Sequence, residues 1–297
     1  MINIEVDIAI MKVLPFKIPK SSTDTLIVQE DKEIVLYDKF HQHEEIQISI
    51  IISGEGSVIV GDTITDYRPD DILVFGSNVP HVLQSAVSDQ ESYMISLFFT
   101  KESFGNMFFE LPEFEDLSNF FRSSVYGIRV LSKKQKIKKQ FLKILKKEER
   151  LDRFTIFLKI LKLLKAAKIE TISSFISKRA YTDNEGKRMA RVFQTVMNEF
   201  NRDFSLKEVA DLAHMTPNAF CRYFKQRTNK TFFQFLIEVR IENVCRLLSK
   251  ETEITISEAS YNSGFKNLSN FNRKFKEIKG ITPSNYKKRL YDSHFVQ

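Results

Sequence analysis

The 297-residue sequence contains no tryptophan, two cysteines, and only 9 glycines and 7 prolines. Cys221 and Cys245 cannot build a disulfide framework or a Cys-rich zinc site, and such sparing use of cysteine fits a reducing compartment. So little glycine and proline, beside 42% apolar residues, excludes collagen-like and disordered chains. The missing tryptophan, set against 27 phenylalanines, reads as an AT-rich coding bias rather than as mechanism. Long apolar runs are missing too. The longest uncharged stretch, residues 72–88, contains Asn78, Pro80, His81 and Gln84 and cannot cross a bilayer as a helix. Residues 1–20 carry Glu5 and Asp7 among their apolar positions, which does not fit a secretory leader. A soluble cytoplasmic chain with no membrane partner is the expectation.

Charge is present and unevenly placed. The formal net charge is +7, but residues 1–132 carry 9 basic and 21 acidic side chains, a balance of −12. Residues 133–181 carry 16 and 4, or +12, and residues 182–297 carry 20 and 13, or +7. An acidic front and a basic rear favour a polyanion partner for the rear.

Residues 25–100 carry strand signals. Residues 46–52 alternate with period 2 before Gly54 and Gly56 turn the chain. Residues 57–60 run to Gly61-Asp62, residues 72–75 follow an Arg68-Pro69-Asp70-Asp71 turn, and residues 93–99 form a further strand. Short strands at this spacing predict a barrel or sandwich. From about Ser132 the period becomes helical. Ile137, Phe141, Ile144 and Leu145 share one face, as do Phe154, Phe157, Leu158, Leu161 and Leu164. Two amphipathic helices joined near residues 149–152 are predicted, with lysines on the far face. That face reads as plain solvated surface, and the helix pair appended to a barrel is also a candidate dimer interface. Residues 170–184, with Ser173, Ser174, Ser177, Thr182, Asp183 and Asn184, read as a linker.

The rear of the chain is a repeat. Ser205-x-x-Glu208 and Thr255-x-x-Glu258 are capping boxes 50 residues apart, opening short helices at 206–213 and 256–262. Tight connections follow at 213–216 and 263–266. Second helices then start at Asn218 and Ser269. At an offset of 51, Phe220 and Phe271, Arg222 and Arg273, Phe224 and Phe275, and Lys225 and Lys276 coincide. Thr231 and Thr282, and Phe235 and Tyr286, coincide as well. The extra residue lies in the second connection. One Phe-x-x-x-Phe helix is ordinary core. Two matched copies are two helix-turn-helix units, at about 205–227 and 255–278, joined by a helix over 232–248.

This plan suits duplex DNA. The phenylalanines bury one face of each second helix and turn the arginine outward. The start of such a helix meets base edges in the major groove. Arginine pairs with guanine and asparagine with adenine. The candidate DNA-binding residues are Thr216, Asn218, Cys221, Arg222 and Lys225 in the first unit. In the second they are Lys266, Asn267, Ser269, Asn270, Arg273 and Lys276. Among them Lys225 and Lys276 suit phosphates, as do Lys287, Lys288 and Arg289 beyond them.

At these residues, over roughly 186–290, the chain resembles the AraC/XylS family of bacterial transcription regulators. The specific string is Gly264-Phe265, then Phe271-x-Arg273-x-Phe275-Lys276, then Gly280-x-x-Pro283-x-x-Tyr286. Arg240-Ile241 and Leu247-Leu248 resemble the family's connecting helix. The resemblance implies that one chain reads two adjacent major-groove segments. Four positions depart from the family pattern. His214 and Asn229 stand where glycine is usual, Phe232 where proline is, and Ser260 where alanine is.

Residues 25–100 are similar to the cupin-like barrel many such regulators carry. The likeness rests on His41-x-His43, Gly54-x-Gly56, Gly61-Asp62, Pro69-x-Asp71 and Pro80-His81. In metal-binding cupins two histidines, a glutamate and a later histidine surround an ion. His41, His43 and His81 match three of those positions, and neutral Gln47 takes the glutamate's. These four are candidates for an effector pocket, with no metal or other cofactor expected. No Ser-His-Asp order, phosphate loop or paired-cysteine site offers a catalytic centre.

The expected architecture is α+β and multidomain. A cupin-like effector-binding β-barrel takes residues 1–130, and helices with a linker take 131–184. An all-α DNA-binding domain takes 185–297. The expected function is sequence-specific transcription regulation by a homodimer, without enzymatic activity, modulated by an unidentified small molecule and able to contact RNA polymerase. A metal-dependent cupin enzyme (a dioxygenase or isomerase) fused to a DNA-binding domain is the rival reading. An architectural, non-specific DNA binder is a third.

Overall fold

The computed structural model describes Ile18, Leu36 and residues 24–34, 40–86, 91–175, 183–250 and 253–294. The leader reading over residues 1–20, Ile18 apart, lies outside the described residues, as do Ser177 and Thr182. Among the described residues the front holds nine strands: β1 (Ile27–Glu33), β2 (Ile46–Ser53), β3 (Gly56–Val60), β4 (Thr63–Tyr67), β5 (Ile72–Phe75), β6 (His81–Ser85), β7 (Ser92–Phe99), β8 (Ile128–Val130) and β9 (Ile169–Thr171). They form a six-stranded sheet in the order β1-β7-β2-β5-β8-β9 and a three-stranded sheet in the order β4-β3-β6. Neighbouring strands are antiparallel.

Strand parity explains how the layers stack. In β2, Ile46, Ile48 and Ile50 face a helical layer, while Ile51 lies in the core between the sheets. Val58, Val60, Tyr67 and Leu83 meet it there from the smaller sheet. Ile59, Ile64 and Val82 point the other way, into a core shared with the rear domain. Both faces of both sheets are thus engaged.

The helical layer comprises α1 (Leu117–Ser124), α2 (Lys134–Leu145) and α3 (Arg150–Lys165). Ile137, Phe141, Ile144, Phe157, Leu161 and Leu164 are buried in one core with Ile48, Leu97 and Phe99. The apolar faces of this helix pair are therefore covered by the sheet. Part of the basic charge is answered within the chain as well. Lys134 reaches Asp71 at 2.7 Å and Lys138 reaches Asp70 at 2.5 Å. The stretch from residue 170 differs from the expected linker. β9 pairs with β8, and the Ser173 hydroxyl is buried, donating to Asp62 Oδ1 at 2.6 Å.

The rear holds α4 (Asp183–Glu199), α5 (Leu206–Leu212), α6 (Pro217–Thr228), α7 (Phe232–Lys250), α8 (Ile256–Asn262), α9 (Leu268–Lys279) and α10 (Pro283–His294). α4 and α10 were not anticipated. Two aromatic-rich cores stand here, one around Phe193, Phe220, Phe224, Phe232 and Phe235, the other around Phe265, Phe271 and Phe275. No described helix is long and apolar enough to cross a membrane.

Phe275 is fully buried beneath α9. Replacing it with alanine is expected to cost about 3–5 kcal/mol in urea unfolding, and a wild-type midpoint would contradict its anchoring role. Ser260 offers the opposite case. Its side chain is fully buried, and its hydroxyl has no hydrogen-bond partner among the described residues. Ser260→Ala removes that unsatisfied group and should raise stability by about 1 kcal/mol. A lower melting temperature would show that the hydroxyl is engaged.

Candidate nucleic-acid interface and histidine cluster

Each rear unit is built by the same local devices. Ser205 Oγ accepts from Glu208 N at 3.1 Å, and Glu208 Oε2 accepts from Ser205 N at 3.4 Å, starting α5. Thr255 and Glu258 repeat this at 3.1 and 2.9 Å, starting α8. The turn after α5 puts His214 at φ 51°, and the turn after α8 puts Gly264 at φ 86°. A left-handed residue is thus required at matched places, with glycine the easier choice. At Gly264 a Cβ would also lie 2.7 Å from the Asn201 carbonyl oxygen. The second helices end alike. Asn229 at φ 57° donates to Lys225 O, and Gly280 at φ 72° donates to Lys276 O. Asn and Gly are the residues that accept this helix-ending conformation most readily.

The side chains expected to meet DNA lie on the open faces of α6 and α9 or at their starts. Thr216, Asn218, Cys221, Arg222 and Lys225 are all exposed, and so are Lys266, Asn267, Ser269, Asn270, Arg273 and Lys276. Two of them also cap helices. Thr216 Oγ1 accepts from Ala219 N at 3.4 Å, and Asn267 Oδ1 accepts from Asn270 N at 2.9 Å. Arg273 donates to Asn270 Oδ1 at 2.9 Å and approaches Glu277 at 3.6 Å, which holds its guanidinium along the helix surface. Lys266 pairs with Asp203. Both are exposed, so the pair is weak and its ammonium can be exchanged for a phosphate. Lys287, also read as a phosphate contact, is half-buried and donates to Ile254 O at 2.6 Å. Its ammonium is used inside the domain.

Sequence reasoning missed the residues that brace these helices. Arg191 donates to Leu212 O at 3.2 Å and meets His214 Nε2 at 2.7 Å, clamping the first turn. Arg240 donates to the carbonyls of Phe200 and Arg202 at 2.8 and 2.7 Å, which ties the α4–α5 connection to α7. Arg191 had no repeat partner or spacing to mark it, and Arg240 was marked only by its likeness to a connecting helix, which did not show what it holds.

In the barrel, His41, His43, Gln47 and His81 come together and are all buried. His41 bridges His81 across the sheet edge. The three rings offer nitrogen atoms within 4.8 Å of one another. Phe75 stacks on His81 at 4.1 Å, and Phe98 meets His43 edge-on at 5.5 Å. His43 Nδ1 lies 2.8 Å from Glu45 O, and His81 Nδ1 lies 2.8 Å from Val79 O. A carbonyl only accepts, so each Nδ1 carries the proton and each Nε2 presents a lone pair. Both Nε2 atoms lie 3.1 Å from the Gln47 amide. With its oxygen inward, Gln47 completes a set of three nitrogens and one oxygen that fits a borderline divalent cation. With its NH2 inward, it donates to both imidazoles and accepts from Ser49, so the network closes with neutral groups.

Burial holds the His43 pKa below its ordinary value. Burial, then the neighbouring rings of His41 and His43, hold that of His81 well below it. The folded state therefore binds fewer protons than the unfolded chain as pH falls below about 6.5. Stability is unaffected above that value. Below it, each histidine removes up to about 1.4 kcal/mol per pH unit until its folded pKa is reached. Urea titrations at pH 7.5 and 5.5 should show the drop, and equal stability at both would contradict neutral buried rings.

Comparison with known proteins matches these two regions. The family described as a helix-turn-helix domain matches residues 209–289, and that described as a cupin domain matches residues 35–98. The transcriptional activator RhrA of Rhizobium meliloti (strain 1021) is 36% identical over 103 residues, covering 34% of this chain and 32% of that protein. The XylDLEGF operon transcriptional activator 2 of Pseudomonas putida is 29% identical over 118 residues, covering 39% of this chain and 74% of that one. The chain spans about a third of the length of the first curated relatives it matches. Among solved structures, ToxT from Vibrio cholerae O395 is 14% identical and covers 90% of this chain and 98% of its own, with a TM-score of 0.37.

Proposed function

We propose that this chain, whose two domains are of the kinds found in AraC/XylS regulators, is a sequence-specific DNA-binding transcription regulator. The observation that carries the reading is the matched pair of capped helix-turn-helix units with exposed polar faces on α6 and α9. α7, 19 residues and so roughly 28 Å long, spaces the two units. Each chain then sets α6 and α9 in adjacent major-groove segments. Arg222 and Arg273 read guanine edges, and Asn218 and Asn270 suit adenine. Thr216, Cys221, Asn267 and Ser269 lie beside them. Lys225, Lys266 and Lys276 take phosphates.

The front is the regulatory part in this reading. Residues 1–130 form the effector-binding barrel, 131–184 the helical segment and linker, and 185–297 the DNA-binding domain. A small molecule acts through the barrel around His41, His43, Gln47 and His81. A cytoplasmic homodimer that can contact RNA polymerase completes the proposal. Enzymatic activity is not part of it, and two of the matched relatives are named as transcriptional activators.

Selection of duplexes from a random library by the full chain, at near-physiological salt, tests this. The expected product is a motif of two segments about one helical turn, ~10 bp, apart. Binding without enrichment would support the architectural reading instead. On the selected duplex, Arg222→Ala or Arg273→Ala should cost about 1–3 kcal/mol and relax one position. Equal losses on random DNA would make those arginines phosphate contacts. Lys276→Ala should reduce the salt slope by about one.

A further inference from the structure

The two helix-turn-helix units do not stand equally toward the barrel. The core of the first unit contains barrel residues, namely Phe40, Ile59, Ile64 and Val82. The core of the second contains none among the described residues. An aromatic chain runs from the barrel to α6. Phe40 meets Phe193 of α4 at 4.9 Å, and Phe193 meets Phe224 of α6 at 6.1 Å. Phe40 is also the residue before His41, so this chain starts beside the histidine cluster.

A polar contact sits just past the C-terminal end of α6. Lys230, just past the Asn229 helix end, donates to the carbonyl of Asp62 in the β3–β4 turn. It also pairs with Glu238 of α7 at 2.7 Å. Asp62 is itself fixed: it is buried, and its carboxylate accepts from Ser173 at 2.6 Å, Ser174 at 3.3 Å and Thr63 at 3.0 Å. The turn follows directly on Val60, which pairs with His81. The repeat supplies an internal control. At the offset of 51, Lys230 corresponds to Ile281 and Glu238 to Arg289. The plan shared by the two units is broken at the pair of residues that makes this junction.

We infer that the barrel positions α6 through Lys230 just past its C-terminal end and through Phe193 of α4, with Lys230 as the positioning residue, while α9 follows through α7. This rests on α6 and α9 being the reading helices. Changes in the barrel then reach the first DNA segment before the second.

The test uses the full chain carrying Lys230→Met, which keeps the aliphatic stem and removes the ammonium. Cys221 is exposed on α6, whereas Cys245 is buried and its thiol is pushed up to about 12 by burial, so spin labels go to Cys221. A second label on Glu44→Cys, an exposed barrel position, completes a pair for pulsed distance measurement without DNA. Lys230→Met should broaden or shift the distance distribution, and Lys230→Arg should restore it. Glu238→Gln should act in the same direction more weakly and serves as the second variant should Lys230→Met not fold. On the selected duplex, the penalty for scrambling the α6 segment should fall about tenfold in Kd with Lys230→Met, while that for the α9 segment holds. An unchanged distance distribution, or equal changes at both segments, would overturn the inference. A wild-type chain that binds all duplexes alike would sink the DNA reading instead, and the distances would then decide the junction alone.

Discussion

The small β4-β3-β6 sheet has apolar side chains on both faces, and that constraint organises the whole chain. Val58, Val60 and Leu83 turn inward to the larger sheet. Ile59, Ile64 and Val82 turn outward and would be left in water by a free-standing barrel. Each such side chain is worth roughly 1.5–3 kcal/mol when buried. The rear domain supplies the cover, through α4, α6 and α7. The acidic front and the basic rear then meet in short polar contacts at the margin, such as Lys250 with Glu55 and Gln84 with Asn198. Charge complementarity trims the junction, and apolar burial makes it.

The helix-turn-helix units were legible in the sequence because local devices build them. Capping boxes, i, i+4 phenylalanines and helix-ending residues act within a few positions of each other, so a repeat of 50 or 51 residues exposes them together. His214 and Asn229 looked like departures, yet both occupy left-handed backbone, the conformation glycine would have favoured. α4 lacked a repeat partner and a capping box, and was missed for that reason.

Long-range pairing was far less legible. The faces of α2 and α3 were readable from periodicity, but nothing in the periodicity said that a sheet of the same chain would cover them. Ser173 and Ser174 looked like linker because serine is common in linkers. Ser173 is instead a buried donor to a residue 111 positions earlier. In the barrel, parity could place His43 and Gln47 on one face of the chain. The arrival of His81 depends on cross-strand pairing that one strand's pattern does not encode.

What emerges is one helix-turn-helix module written twice and then made unequal by its surroundings. Both units keep the cap, the turn, the aromatic anchors and the outward arginine. Among the described residues, only the first shares its core with the barrel. The central claim, that a single chain reads two groove segments, is tested most directly by hydroxyl-radical footprinting of the full chain on its own selected duplex. The account predicts two protected stretches on one face of the DNA, centred about one helical turn apart. A single protected stretch, or protection spread evenly along the duplex, would contradict it.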